Sequence, residues 1–166
     1  MKHLYILITL VISSISYGQD LNSAFEASKG KWKFPISDCI NVDTTMNDCY
    51  GNKTSSYSTI LTSKKSSEVR ALEKGIVHSV FSLDDTAFTV IVKSGSYLLA
   101  YSGVFTHLNK GDTVYREQVI GYLTKRQKDN SYDLFLALTK NLKPVNINNW
   151  FDYRTAHNKC ICEKHG

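Results

Sequence analysis

Between positions 57 and 138 the sequence is cut into six short runs rich in β-branched and aromatic residues, at 57–62, 75–81, 88–92, 97–104, 119–123 and 132–138. Turn signals separate them: Asp84-Asp85, Ser94-Gly95, Lys110-Gly111-Asp112 and Asp129-Asn130-Ser131. No helix-period pattern of useful length falls among them, and runs this short bury apolar surface only by pairing. The pattern predicts a mostly β protein, an antiparallel sheet or sandwich of about seven short strands.

Two stretches resemble each other within this pattern. From Lys110 to Gly121, Lys-Gly-Asp makes a turn and Val114, Val119 and Ile120 return to strand-like positions. Val69, Ala71, Gly75, Ile76 and Val77 repeat the order of apolar residues about a turn glycine. Each reads as a small β-hairpin arch, and two such arches facing each other imply internal pseudo-repetition.

Ahead of the β-rich part, residues 1–18 read as a targeting segment. Lys2 supplies the charge, 4–12 an apolar run broken by Thr9, and Ser16, Tyr17 and Gly18 the small residues before a cut ahead of Gln19. An uncleaved anchor is the alternative. No other run approaches the roughly 18 apolar residues of a membrane span, so no transmembrane anchor is expected after cleavage, and a periplasmic or secreted location follows. The remaining length suits one domain. Positions 20–34 predict a short helix capped by Asp20 and ending at Gly30, then an entry strand through Trp32, Phe34 and Ile36. Residues 37–56 are polar and read as a long loop. The expected divisions are thus 19–56, a β domain over 57–152, and a tail over 153–166.

The net charge of +5 is spread along the chain, with no cluster of the kind that binds nucleic acid. Cys39, Cys49, Cys160 and Cys162, in an exported chain, are disulfide candidates. A bond within Cys160-Ile161-Cys162 would be strained, so pairing of the first two with the last two is favoured, with Cys39 to Cys49 next. His157, Cys160, Cys162 and His165 form an alternative zinc or copper site in the tail.

Taken together, several pieces resemble the LytM/lysostaphin-type zinc endopeptidases over roughly residues 57 to 151. They are Val69-Arg70-Ala71, Gly75-Ile76-Val77, Phe88 to Lys93, Tyr101, Lys110-Gly111-Asp112, Gln118-Val119-Ile120-Gly121 and Lys143-Pro144-Val145-Asn146 with Trp150. The resemblance implies an antiparallel β-sheet groove of the duplicated-hybrid-motif type, a barrel-sandwich hybrid. It also implies a zinc ion held by an HxxxD motif and an HxH motif, with a further His after a Tyr, so that metal-bound water attacks a peptide bond. Carried over, the HxxxD positions fall at Ser56 and Ile60, the HxH positions at Asp133 and Phe135, and the Tyr-x-His position at Gly103. All five are substituted, and no His lies between the expected cut and His78. The expectation is a degenerate member with no cofactor. It would act as a binding or regulatory module on an envelope protein partner or peptidoglycan. Two other functions compete. One is an active endopeptidase using Asp133 with His78 or His107. The other is a biotinyl/lipoyl-like adaptor, since Lys-Gly-Asp-x-Val with Gln-x-Ile-Gly also occurs in those domains, with Lys93 the lysine nearest a turn between the two arches.

Overall fold

The computed structural model describes residues 21–47, 53–126 and 131–156. The targeting segment, Asp20, Cys49, His157, Cys160, Cys162 and His165 lie outside them, and so therefore do the pairings and the tail metal site considered above.

Helix α1 covers residues 21–27, and Gly30, at φ 72, turns the chain out of the coil that follows it. The strands are β1 (Cys39–Asn47), β2 (Lys53–Ser63), β3 (Glu68–Arg70), β4 (Gly75–Ser82), β5 (Phe88–Ser94), β6 (Tyr97–Phe105), β7 (Thr113–Val114), β8 (Val119–Leu123), β9 (Tyr132–Lys140) and β10 (Lys143–Val145). A 3-10 turn, Ile147–Trp150, capped by the Asn146 side chain, and a short helix α2 (Tyr153–Ala156) complete the described chain. The strands form one open antiparallel sheet in the order β1-β2-β9-β6-β5-β4-β7; β10 adds to β9, and β8 joins β3 and β6. The mostly β, antiparallel expectation holds.

Several local expectations are corrected. Within residues 37–56, expected as a loop, β1 and the start of β2 instead pair as the two arms of a hairpin, with Thr45 opposite Ser55 and, further along, Asp43 opposite Ile60. Polar β-branched residues suffice for an edge strand whose outer face meets water. This hairpin runs through the boundary drawn at 56/57. Trp32 to Ile36 is not a strand; Trp32 makes a single parallel bridge to Phe151. The arches are not hairpins on their own. Instead each pairs with the other: Gly75 lies opposite Val114 and Val69 opposite Gly121. Between these pairs, Ala71 N–H donates to the Gln118 carbonyl and Glu117 N–H to the Ala71 carbonyl, both at 2.8 Å. The expectation that they face each other holds.

Alternation divides the sheet into two faces. One carries Leu61, Leu134, Leu136, Leu138, Leu99, Tyr101, Val90 and Val92, all buried. Phe25 of α1, Trp32, Ile147, Trp150 and Phe151 join that same core, so among the described residues the chain before and after the sheet closes one face and leaves the other open.

Candidate functional site on the open face

A row of side chains crosses five strands of the open face. Ile60 on β2 stands opposite Phe135 on β9, Phe135 opposite Ser102 on β6, Ser102 opposite Thr89 on β5, and Thr89 opposite Phe81 on β4. Phe135 is 37% and Phe81 54% exposed, while Ile60, Ser102 and Thr89 are half-buried. The Ser102 and Thr89 hydroxyls lie 2.8 Å apart and satisfy each other. The row therefore runs from an isoleucine and a ring, through two hydroxyls, to a second ring.

Beside this row β6 changes neighbour. Up to Ser102 it pairs with β9; from Val104 it pairs with β8. Gly103, at φ 89, is the extra residue of a bulge there, since Phe88 lies opposite Val104 and Thr89 opposite Ser102. A side chain at Gly103 would stand 2.4 Å from the Asp133 carbonyl oxygen. The backbone needs glycine at this point for its conformation and for the close approach.

Asp133 lies two residues from Phe135 on the same face, opposite Thr62. Its Oδ2 accepts from Arg126 Nη1 at 3.1 Å and from Ser131 Oγ at 3.2 Å. Among the described residues its buried Oδ1 has no hydrogen-bond partner. The side chain is 15% exposed, so the arginine compensates a carboxylate largely removed from water.

Four of the five positions singled out in the sequence thus come together: Ile60, Phe135, Asp133 and Gly103 occupy adjoining places on β2, β9 and β6. Ser56 lies four residues before Ile60 on β2. Sequence reasoning missed Ser102, the residue of β6 that faces Phe135, because the bulge at Gly103 has no signature beyond a glycine in a strand. His78 and His107 do not join the group. Both are exposed, and His107 packs edge-on against the Phe105 ring at 5.0 Å. The strand of His78 is three removed from that of Asp133, roughly 14 Å at ordinary strand spacing. Lys93 sits within β5, opposite both Ile76 and Leu98, rather than at a hairpin tip.

The zinc ion that the resemblance implies does not fit these residues. Such a site needs three nitrogen, sulfur or carboxylate donors converging on one point. The row offers two hydroxyls bonded to each other, and the nearby carboxylate is engaged by an arginine. Among the described residues no three His, Cys, Asp or Glu side chains stand close enough together to hold a metal. What the row can do is present aromatic and hydroxyl surface to another molecule.

No family model matches the sequence, and no curated protein matches it. Solved structures do match the fold. The structure of the SpoIIQ-SpoIIIAH pore-forming complex aligns with a TM-score of 0.58 at 19% identity, over 73% of this chain and 90% of that one. A putative glycyl-glycine endopeptidase LytM from Ruminococcus gnavus aligns with a TM-score of 0.55 at 16% identity, over 82% of this chain and 64% of that one. A zinc-containing peptidase from Vibrio cholerae gives 0.55 at 17% identity, over 69% of this chain and 38% of that one. The chain spans only part of the two peptidases, and identities this low speak for architecture alone. An open antiparallel sheet of this topology, matched to these structures, is the LytM/lysostaphin-type peptidase fold.

Proposed function

We propose that this chain is an exported LytM-like domain without metallopeptidase chemistry, working in the cell envelope as a binding or regulatory module on a partner protein or peptidoglycan. One observation carries the reading: Ile60 and Phe135 stand directly opposite each other where the resemblance puts an aspartate and a histidine ligand. Neither side chain has a lone pair to give a metal, and without the metal there is no activated water. Asp133, at the other position of the HxH pair, is held by Arg126 and Ser131. The fold supports a binding role by analogy, since one match comes from a two-protein complex.

The test joins metal analysis to a digestion. The purified chain, dialysed against zinc and then against buffer, is expected to retain far less than one equivalent. Incubated with purified peptidoglycan it should release no new amino termini, with or without added zinc. One tightly held zinc per chain, together with release that a chelator stops, would overturn the proposal.

A further inference from the structure

We propose that the end of the sheet bearing the β9–β10 turn docks on an anionic lipid bilayer, with Leu142 entering the interface and the surrounding lysines meeting lipid phosphates. Three observations carry this.

The first is the turn itself. Asn141 and Leu142 are its two central residues, at φ 50 and φ 63. A two-residue turn of this kind suits Asn at the first place and Gly at the second. Leu142 instead holds a left-handed conformation that a side chain disfavours, and it is 80% exposed, the most exposed of the large apolar residues described. It therefore gains almost nothing from burial within the chain. An apolar residue strained at a tip, with its side chain in water, is placed for contact with something else.

The second is charge. Lys140 and Lys143 lie opposite each other on the two sides of the tip. Lys93 is on the opposite face of the same sheet end, across Leu98 from Thr139. On the α1 side Lys29 Nζ lies 5.0 Å from the Trp150 ring centroid, and Lys140 Nζ 5.1 Å from that of Tyr97. Glu26 is ion-paired with Lys140, so Lys29, Lys93 and Lys143 are the cations this end offers to lipid phosphates. Lysines around an apolar tip match an anionic headgroup layer over hydrocarbon, and binding of this kind is reversible and salt-sensitive.

The third is the path of the chain. Asn22, at the start of α1, accepts through Oδ1 from Ser96 N–H at 2.7 Å, and the Ser96 carbonyl accepts from Asn141 N–H at 2.9 Å. The described chain thus begins beside the tip. On the export reading the apolar run at 4–12 ends nine positions before Leu21, so a chain still tethered by that run would carry this end within about 30 Å of the lipid.

The inference rests on the export part of the proposed function, not on loss of the metal. The test uses the processed chain recovered after export by an expressing host, whose intact mass shows whether residues 1–18 are gone. A chain that is not processed refutes the export reading separately. Co-sedimentation with vesicles containing about a third phosphatidylglycerol should exceed that with pure phosphatidylcholine at least about tenfold in low salt, and fall as salt rises. Leu142→Gly should weaken binding about tenfold while leaving the thermal midpoint unchanged or higher, as expected for glycine in a left-handed turn position. The double change Lys93→Glu with Lys143→Glu should abolish the preference for anionic vesicles while the melting curve stays cooperative. Equal binding to both vesicle types, no binding to either, or full binding by Leu142→Gly would overturn the proposal. So would a concentration-dependent dimer that Leu142→Gly dissociates without lipid, which would give the tip to a second copy of the chain.

Discussion

Gly103 holds φ 89 where β6 leaves β9 for β8. By resemblance it stands where an active enzyme has a histidine, yet a single Cβ there would meet the Asp133 carbonyl oxygen at 2.4 Å. No side chain fits until β6 and β9 separate. Gly103→Ala is therefore expected to destabilise the fold by about 2–4 kcal/mol, combining a left-handed alanine with a backbone clash. Ser102→Ala, one residue away on the open face, should cost only about 1 kcal/mol for its hydroxyl pair. Urea denaturation of both variants measures the contrast, and equal losses would mean that the bulge is not needed. The positions of Ile60, Asp133 and Phe135 came from the resemblance, counted back from Val69 and along the strand before Lys140-Asn141, and the register sets Ile60 opposite Phe135. The bulge was not legible, because its cause is a tertiary approach between two strands about 30 residues apart in sequence.

Among the elements, strands with an apolar face were legible, and strands stabilised from outside themselves were not. The hairpin of β1 and β2 was hidden because residues 37–56 are mostly polar, and only pairing with β9 makes β2 an interior strand. β7 and β10 are two and three residues long, below what periodicity registers. Helix α1 was legible from its apolar positions and from Gly30, but its attachment was not. The Glu26 carboxylate accepts from Lys140 Nζ at 2.6 Å and from the Tyr97 hydroxyl. These hydrogen bonds, that from Lys140 foremost, hold its pKa below the usual glutamate value of 4.5. Burial and the bond to Glu26 push the Tyr97 phenol up. A carboxyl depressed by folding contributes stability above its unfolded pKa, and that contribution is lost as pH falls through the folded one. Glu26 is 42% exposed, so solvent screening limits the contribution to about 1 kcal/mol or less. Glu26→Gln is expected to lower stability slightly at neutral pH and to flatten its decline below pH 4.5. Thermal midpoints taken from pH 7 to pH 3 would show this, and parallel curves for the two proteins would exclude Glu26 as a source of the acid dependence.

Across the whole molecule, the described segments before and after the sheet form one lid over its core face. Trp32 N–H donates to the Trp150 carbonyl and Asp152 N–H to the Trp32 carbonyl, both at 2.8 Å. The Phe25 ring stacks on Tyr97 of β6 at 4.0 Å and meets Trp32 edge-on at 5.4 Å, and Trp32 lies 6.0 Å from Trp150. Sequence order alone could not reveal this, since the two tryptophans are more than a hundred residues apart and each flank read as a separate appendage. Their indole nitrogens tie the lid further. Trp32 Nε1 lies 3.0 Å from both Ser28 Oγ and Glu73 Oε1, and Trp150 Nε1 donates to the Phe25 carbonyl at 3.3 Å. Trp32→Phe and Trp150→Phe each lose an indole hydrogen bond and part of the buried ring volume, while the Phe25 carbonyl still accepts from Ser28 and Glu73 still pairs with Arg116, so each should cost about 1–3 kcal/mol. If the lid opens as a unit, the first substitution already loosens what the second would disturb. The double variant should then lose less than the two single losses together, by about 0.5–3 kcal/mol, the range found for side chains in contact. Urea unfolding of the four proteins measures that coupling. Simple additivity would mean that α1 and the Trp150 turn are held to the sheet independently, and that the face they cover is closed by two pieces rather than one.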